Sequence, residues 1–233
     1  MIRPFLLLFA LFSCSCALAD EAKVKATLEK NYPQIGKIEK VNKANVLGLY
    51  EVITRDQLVY TDEKAQYLII GNIYDLKAKR NLTEERARKL FAVDFNSLPF
   101  ELAIKKVKGN GQRKLAYFTD PNCGYCKKLE SELKNIDNVT LYIFIYPIFQ
   151  GSEEKAKGVW CSKDQAKAWD DLMLNNAQPT AGTCDAPSAK VLELGSKLKL
   201  TGTPALILAD GVLIPGYLPA PELEKAFEEA MKR

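Results

Sequence analysis

The sequence predicts an α+β protein with a small β-rich N-terminal domain, a helical linker and a C-terminal α/β domain. Short β-like runs in the first third of the chain are bounded by charged or turn residues, as at positions 61–64. In the second half, an apolar strand-like run over residues 115–119 is followed by a helical pattern and by a nearly continuous apolar run over residues 139–146. The last run is typical of a strand that is buried on both faces of a parallel sheet.

Composition limits the classes of function. The chain has 233 residues, 47% of them hydrophobic and 27% charged, as is ordinary for a globular protein of one or two domains. Its formal net charge of +4 is small and mixed in sign along the chain, which gives no support for nucleic-acid binding. The chain contains no histidine, which excludes Ser-His and Cys-His nucleophile pairs and histidine-ligated zinc.

Residues 1–19 have the features of a cleavable export signal. Arg3 precedes an apolar run over residues 5–12, and an Ala-x-Ala pattern closes the segment at residues 17–19. The apolar run is too short for a stable membrane anchor. A less favoured alternative is lipoprotein anchoring at Cys14, because the preceding residues faintly resemble a bacterial lipobox. Cleavage after the Ala-x-Ala pattern leaves four cysteines, an even number that suits two disulfides in an oxidising compartment.

The rest of the chain divides into three predicted parts. Residues 20–76 start with a helix-like stretch and continue as short β-like runs, without cysteine. A unit of this size buries little core alone, so we expect it to be a dimerisation domain whose partner is a second copy of itself. Residues 77–108 are charged and predict a solvated linker helix. The third domain then covers residues 109–233.

Cys123 and Cys126 lie where a predicted strand ends and a helix begins. Pro121 and its polar neighbours suit a helix start, and the positive end of a helix favours a thiolate. We therefore predict that Cys123 is the exposed attacking thiol. Cys126 lies on the apolar face of the helix and is predicted to be the shielded resolving thiol. Gly124 and Tyr125 allow the tight turn between them.

The other two cysteines are predicted to be structural. A zinc site would need Cys161 and Cys184 as further ligands of the Cys123–Cys126 pair, but they do not form a second close pair. We expect no metal and no cofactor. Cys161 and Cys184 lack a redox motif and predict a disulfide, which closes a loop of about 23 residues and stabilises by about 3 kcal/mol.

Thr203 and Pro204 precede a predicted strand over residues 205–209. Taken alone, a proline at this place indicates the entrance of an edge strand.

Several motifs together resemble the DsbC family of periplasmic disulfide isomerases, and the likeness extends over the whole mature chain. The motifs that carry it are Phe118-Thr119-Asp120, Cys123-Gly124-Tyr125-Cys126, Thr201-Gly202-Thr203-Pro204-Ala205 and Pro215-Gly216-Tyr217. The resemblance implies a thioredoxin-like catalytic domain with a helical insertion, a homodimer formed by the N-terminal domain, and a periplasmic location. It also implies a cis peptide bond between Thr203 and Pro204 against the active-site sulfurs, and substrate binding by these two residues together with Gly124 and Tyr125.

The resemblance further implies a disulfide isomerase that acts on misfolded disulfide-bonded exported proteins and is kept reduced by a membrane reductase of the DsbD type. The sequence departs from the family at Lys127, where an isomerase carries histidine, and a permanent cation there is expected to stabilise the thiolate and weaken it as a nucleophile. Tyr117 stands where the thioredoxin family has a buried carboxylate. The alternatives are a DsbG-like reductase, a dithiol oxidase, or a holdase chaperone with thioredoxin-like domains.

Overall fold

The structure is a computed structural model that describes residues 15–55, 57–180 and 183–232. The predicted signal peptide lies outside the described residues except for the backbone of residues 15–19, and the possible lipid attachment at Cys14 lies outside them entirely. The chain forms two compact units that divide between Leu90 and Phe91. Within the described ranges, no helix combines the length and the apolar character that a membrane span requires.

The α-helices are α1 Ser15–Asn31, α2 Leu82–Leu90, α3 Gly124–Leu133, α4 Ser152–Trp160, α5 Gln165–Asn175, α6 Ser188–Lys197 and α7 Ala220–Met231. The strands are β1 Ile38–Lys43, β2 Tyr50–Thr54, β3 Leu58–Thr61, β4 Leu68–Ile69, β5 Tyr74–Asp75, β6 Arg80–Asn81, β7 Ile104–Lys108, β8 Arg113–Thr119, β9 Val139–Ile145, β10 Ala205–Leu208 and β11 Leu213–Pro215. Short 3-10 helices cover Pro33–Ile35, Phe95–Ser97 and Phe100–Leu102.

The N-terminal unit is an antiparallel sheet in the order β1-β2-β3-β4, covered by α1. Val24 and Leu28, four residues apart on one face of α1, pack in the same core as Tyr50 and Val52 of β2. The last of its strands, β4, has only two residues, lies at the sheet edge and is exposed. The core of this unit is therefore small, and one edge of its sheet faces solvent.

The prediction of a linker helix over residues 77–108 is wrong for most of these residues. Only Leu82–Leu90 is α-helical, and Ile104–Lys108 is an edge strand that pairs antiparallel with β9. Ile104 is buried, Val107 is 55% exposed, and Lys105 between them faces water, as is common on an edge strand. The lysine content therefore gives the strand a linker-like sequence. The C-terminal unit starts before residue 109 and includes this strand.

The C-terminal unit has a five-stranded sheet in the order β11-β10-β8-β9-β7, in which β8 and β9 are parallel and the other pairs are antiparallel. Side chains of β8 alternate between two cores: Leu115 and Tyr117 enter one, and Ala116 and Phe118 enter the other. The first core contains side chains of α3, α5 and α7, and the second contains side chains of α6. Helix α3, which carries the cysteine pair, therefore packs on the face to which Tyr117 points.

Candidate active site

Cys123 caps the N-terminus of α3. Its backbone is extended, with φ −82° and ψ 120°, and its Sγ accepts a hydrogen bond from the backbone N–H of Cys126 at 3.4 Å. Serine, threonine and aspartate commonly fill this position because their oxygen satisfies an unpaired N–H group of the first turn. A thiolate sulfur in the same place interacts favourably with that donor and with the positive end of the helix.

Both thiols are free in the structure and both are buried. Cys123 is 7% exposed, so it is buried rather than exposed as the sequence predicts, and Cys126 is 0% exposed. Thr203 contributes to this burial, because the Sγ of Cys123 donates a hydrogen bond to its carbonyl oxygen at 3.4 Å. The order of accessibility nevertheless places Cys123 nearer to solvent.

The loop before β10 is brought to Cys123 by strand pairing. Ala205 of β10 lies opposite Phe118 near the end of β8, which places Thr203 beside the residues that follow β8. The peptide bond between Thr203 and Pro204 is cis. The structure thus brings two of the predicted substrate-binding residues to the reactive turn, although they are distant in sequence.

Cys126 is held in a nearly apolar site. Burial raises the pKa of its thiol to about 12, and the hydroxyl of Thr119, the N–H of Asp120 and the hydroxyl of Thr203 offset part of that rise. The N–H of Asp120 donates to its Sγ at 3.5 Å. Both threonine hydroxyls are buried. This environment keeps Cys126 protonated at neutral pH.

The dipeptide between the cysteines faces solvent. A Cβ atom on Gly124 would meet no atom within 4 Å, and Tyr125 is 60% exposed. The Tyr125 ring lies 6.2 Å from the Tyr217 ring, and the ammonium of Lys128 lies 5.1 Å from its centroid. This surface is open to a polypeptide, and substrate binding by Gly124 and Tyr125 stays a prediction.

The ammonium of Lys127 is directed to a neighbouring helix end. Its Nζ donates to the Oδ1 of Asn176, the residue that follows α5, at 2.6 Å. This hydrogen bond engages the cation that the sequence places next to Cys126.

A buried carboxylate that the sequence analysis missed lies on α3. Tyr117 does occupy the strand position, but its hydroxyl donates to Oε1 of Glu130 at 2.7 Å, and Nε1 of Trp169 donates to the same oxygen at 2.8 Å. Burial raises the pKa of the Glu130 carboxyl to about 7. The signal was present in the sequence, because Glu130 follows Cys126 by four residues and so lies on the buried helix face.

A second cysteine pair forms a disulfide bond. Cys161, directly after α4, is joined to Cys184 with a Cα–Cα distance of 5.6 Å. Among the described residues, no three histidine, cysteine, aspartate or glutamate side chains are grouped closely enough to hold a metal ion.

Two family models match the chain. Residues 100–231 match a thioredoxin-like domain, and residues 15–84 match the N-terminal domain of disulfide bond isomerase proteins. A crystal structure of a disulfide interchange protein from Neisseria gonorrhoeae is similar to part of this chain. It is 39% identical, with a TM-score of 0.55, and the match covers 57% of this chain and 98% of that one.

Curated relatives are also named as disulfide interchange proteins. The probable thiol:disulfide interchange protein DsbC of Bordetella parapertussis is 45% identical over 178 residues, which are 76% of this chain. The match spans 64% of the length of that relative. The thiol:disulfide interchange protein DsbC of Escherichia coli strain K12 is 32% identical over 100% of this chain and 98% of its own length. With its paired cysteines at the start of α3, its thioredoxin-like domain and these relatives, the chain belongs to the thiol:disulfide interchange protein DsbC family.

Proposed function

We propose that the chain is a periplasmic disulfide isomerase and reductase, with Cys123 as its nucleophile and Cys126 as its resolving thiol. The observation that carries the proposal is the unequal placement of the two thiols. Cys123 is at the positive end of α3 and is partly reachable, whereas Cys126 is 0% exposed and its pKa is raised to about 12. A thiolate attacks disulfides, and a helix N-terminus favours the thiolate form.

The reaction starts when the Cys123 thiolate attacks one sulfur of a substrate disulfide. A bond forms between Cys123 and the substrate, the substrate disulfide breaks, and its second sulfur leaves as a thiolate. If a substrate thiolate then attacks the mixed disulfide, a new substrate disulfide forms and Cys123 leaves as a thiolate. No electrons are gained or lost in this isomerisation.

Reduction follows when Cys126 resolves the mixed disulfide. Cys126 loses its proton and attacks the Cys123 sulfur, so a Cys123–Cys126 disulfide forms and the substrate leaves with both sulfurs reduced. The substrate gains two electrons, and a reductant must return two electrons to the cysteine pair. The family resemblance supports a DsbD-type membrane reductase as that donor, and misfolded disulfide-bonded exported proteins as substrates. The predicted signal peptide over residues 1–19 supports the periplasmic location.

We also propose that the protein is a homodimer joined through its N-terminal unit. Strand β4 is an edge of the sheet, and large apolar side chains are exposed there: Tyr67, Leu68, Ile69 and Ile70. Tyr67, Leu68 and Ile70 line a groove of about 530 Å³ that is also lined by Tyr32 and Gln34. An exposed apolar edge strand favours pairing with another strand, and a two-fold axis lets two copies cover each other.

A refolding assay tests the proposed activity. Catalytic amounts of the wild-type protein should restore native disulfides in a substrate with scrambled disulfides, and Cys123→Ser should not. Equal recovery with both proteins would overturn the proposal in favour of a holdase chaperone. The redox state of the pair in freshly prepared periplasm separates the remaining alternatives, because a mostly oxidised pair would indicate a dithiol oxidase.

A further inference from the structure

The carboxylate of Asp120 joins two segments of the active-site region. Asp120 has no exposed surface. Its Oδ1 accepts hydrogen bonds from the N–H of Asn122 at 2.7 Å and from the hydroxyl of Ser152 at 2.6 Å. Its Oδ2 accepts from the N–H of Ile148 at 2.7 Å and of Phe149 at 3.0 Å. These four donors compensate for the loss of hydration that a buried carboxylate suffers.

The segment that Asp120 binds carries exposed apolar side chains. Ile148 is 41% exposed and Phe149 is 49% exposed. The backbone N–H groups of Ile148 and Phe149 both donate to Asp120. The segment therefore exposes the two side chains to solvent, while these two N–H groups are already hydrogen-bonded. Residues 147–150 include no charged side chain. The segment is therefore an apolar surface with a fixed backbone.

This surface is attached to the residue next to the nucleophile. The side-chain nitrogen of Asn122 donates to the carbonyl oxygen of Gln150 at 2.9 Å, and Asn122 directly precedes Cys123. The Nζ of Lys155 donates to the other end of the same amide at 2.7 Å. The apolar segment and the reactive turn are thus tied at two points, through Asp120 and through Asn122.

We propose that Ile148 and Phe149 form a subsite that binds an apolar side chain of the substrate polypeptide, close in sequence to the cysteine that Cys123 attacks. The proposal rests on the proposed function and specifies the substrate class of the same site. Asp120 is the positioning residue that keeps the subsite at a fixed place relative to Cys123.

The choice of occupant follows from the reaction. A substrate sulfur that bonds to Cys123 brings its own chain to this surface, because neighbouring residues of an extended chain are about 3.3 Å apart. Misfolded chains expose apolar side chains that the native fold would bury. When Ile148 and Phe149 bind an apolar side chain of the substrate, the enzyme therefore recognises a non-native disulfide by the residues around it as well as by its sulfurs.

Kinetics with two disulfide peptides test the subsite in the full-length protein. The peptides have equal length and one intramolecular disulfide, flanked by leucine in one and by serine in the other. We expect wild type to have a lower KM for the leucine peptide, and Phe149→Ser to reduce this preference about tenfold, as expected from the loss of one buried apolar contact. Val107→Ser is the matched control, because Val107 is a 55% exposed apolar residue of the same unit.

An unchanged preference in Phe149→Ser, or an equal loss in Val107→Ser, would overturn the subsite. The reaction of wild type with glutathione disulfide, which lacks apolar side chains, separately reports the thiol chemistry. If that reaction is absent, the proposed function itself fails.

Asp120→Asn tests the positioning role. Asparagine offers one acceptor oxygen in place of two, so one pair of donors loses its partner. We expect the preference for the leucine peptide to fall while Phe149 is still present. If the variant folds and keeps the full preference, Asp120 has no positioning role; if it does not fold, Phe149→Ser still decides the subsite.

Discussion

The backbone N–H of Cys126 lies 3.4 Å from the Sγ of Cys123, to which it donates a hydrogen bond. The contact makes Cys123 the cap of α3 and leaves Cys126 inside the helix, three residues further along. The same short segment therefore holds one thiol at a helix end and one thiol in the core. Differences in reactivity between the two follow from this placement.

Cys126→Ser should accumulate mixed disulfides with substrate, because serine cannot attack the Cys123–substrate bond. Non-reducing gel electrophoresis of the variant after incubation with a disulfide-bonded substrate measures them. Alkylation of the reduced wild-type protein should label Cys123 first, since a pKa of about 12 leaves on the order of 10⁻⁵ of Cys126 as thiolate at pH 7. Faster labelling of Cys126 would reverse the assignment of the two roles.

Glu130 should make the stability of the protein depend on pH. Its carboxyl has a pKa of about 7 in the folded chain and an ordinary value of 4.5, so the folded state binds more protons between these values. The free energy of unfolding should therefore fall as pH rises from about 4.5 through about 7, by about 3 kcal/mol from this group. Below about pH 4.5, the contribution of Glu130 to the free energy of unfolding is fully present.

Glu130→Gln removes the titrating group and should flatten this dependence. Denaturant unfolding at several pH values between 4 and 8 measures it, with Glu228→Gln, a change at an exposed carboxylate, as the control. Identical pH dependence in wild type and Glu130→Gln would contradict the prediction.

Replacement of both Cys161 and Cys184 by alanine should lower the free energy of unfolding by about 3 kcal/mol, because the disulfide closes a loop with a sequence separation of 23. Thermal unfolding of the double variant and of wild type measures the difference. Strong reductant should destabilise wild type by a similar amount and should have little further effect on the double variant. A variant as stable as wild type would show that the disulfide does not stabilise the fold.

Ile70→Asp should dissociate the proposed dimer. Ile70 is 73% exposed next to β4, and a two-fold interface would place the two new charges in one apolar contact. Sedimentation at micromolar concentration should show a dimer for wild type and a monomer for this variant. The monomer should still reduce small disulfides but isomerise scrambled substrates poorly.

Leu47→Asp is the control for that experiment, because Leu47 is an apolar residue of the same unit with 79% exposure. It should leave the dimer intact. A wild-type monomer, or equal dissociation of both variants, would refute an interface at β4.

Local patterns in the sequence were sufficient to predict the helices and strands around Cys123. The apolar run of β8, the helix start at Cys123 and the run of β9 each depend on neighbouring residues, and the structure has them close to the predicted positions. The β10–β11 hairpin follows from its Asp210-Gly211 turn in the same way. Strand β7 could not be recognised from its own lysine-rich residues, because its state depends on pairing with β9.

By itself, the sequence determined which residues start α3 and which thiol faces the core, since helix capping and apolar periodicity act over a few residues. Only the tertiary structure decided which distant groups meet these thiols. Thr203 is 80 residues from Cys123, and Trp169 is 39 residues from Glu130, yet hydrogen bonds join both pairs. Such contacts depend on the order in which strands pair and helices pack, and no local pattern encodes that order.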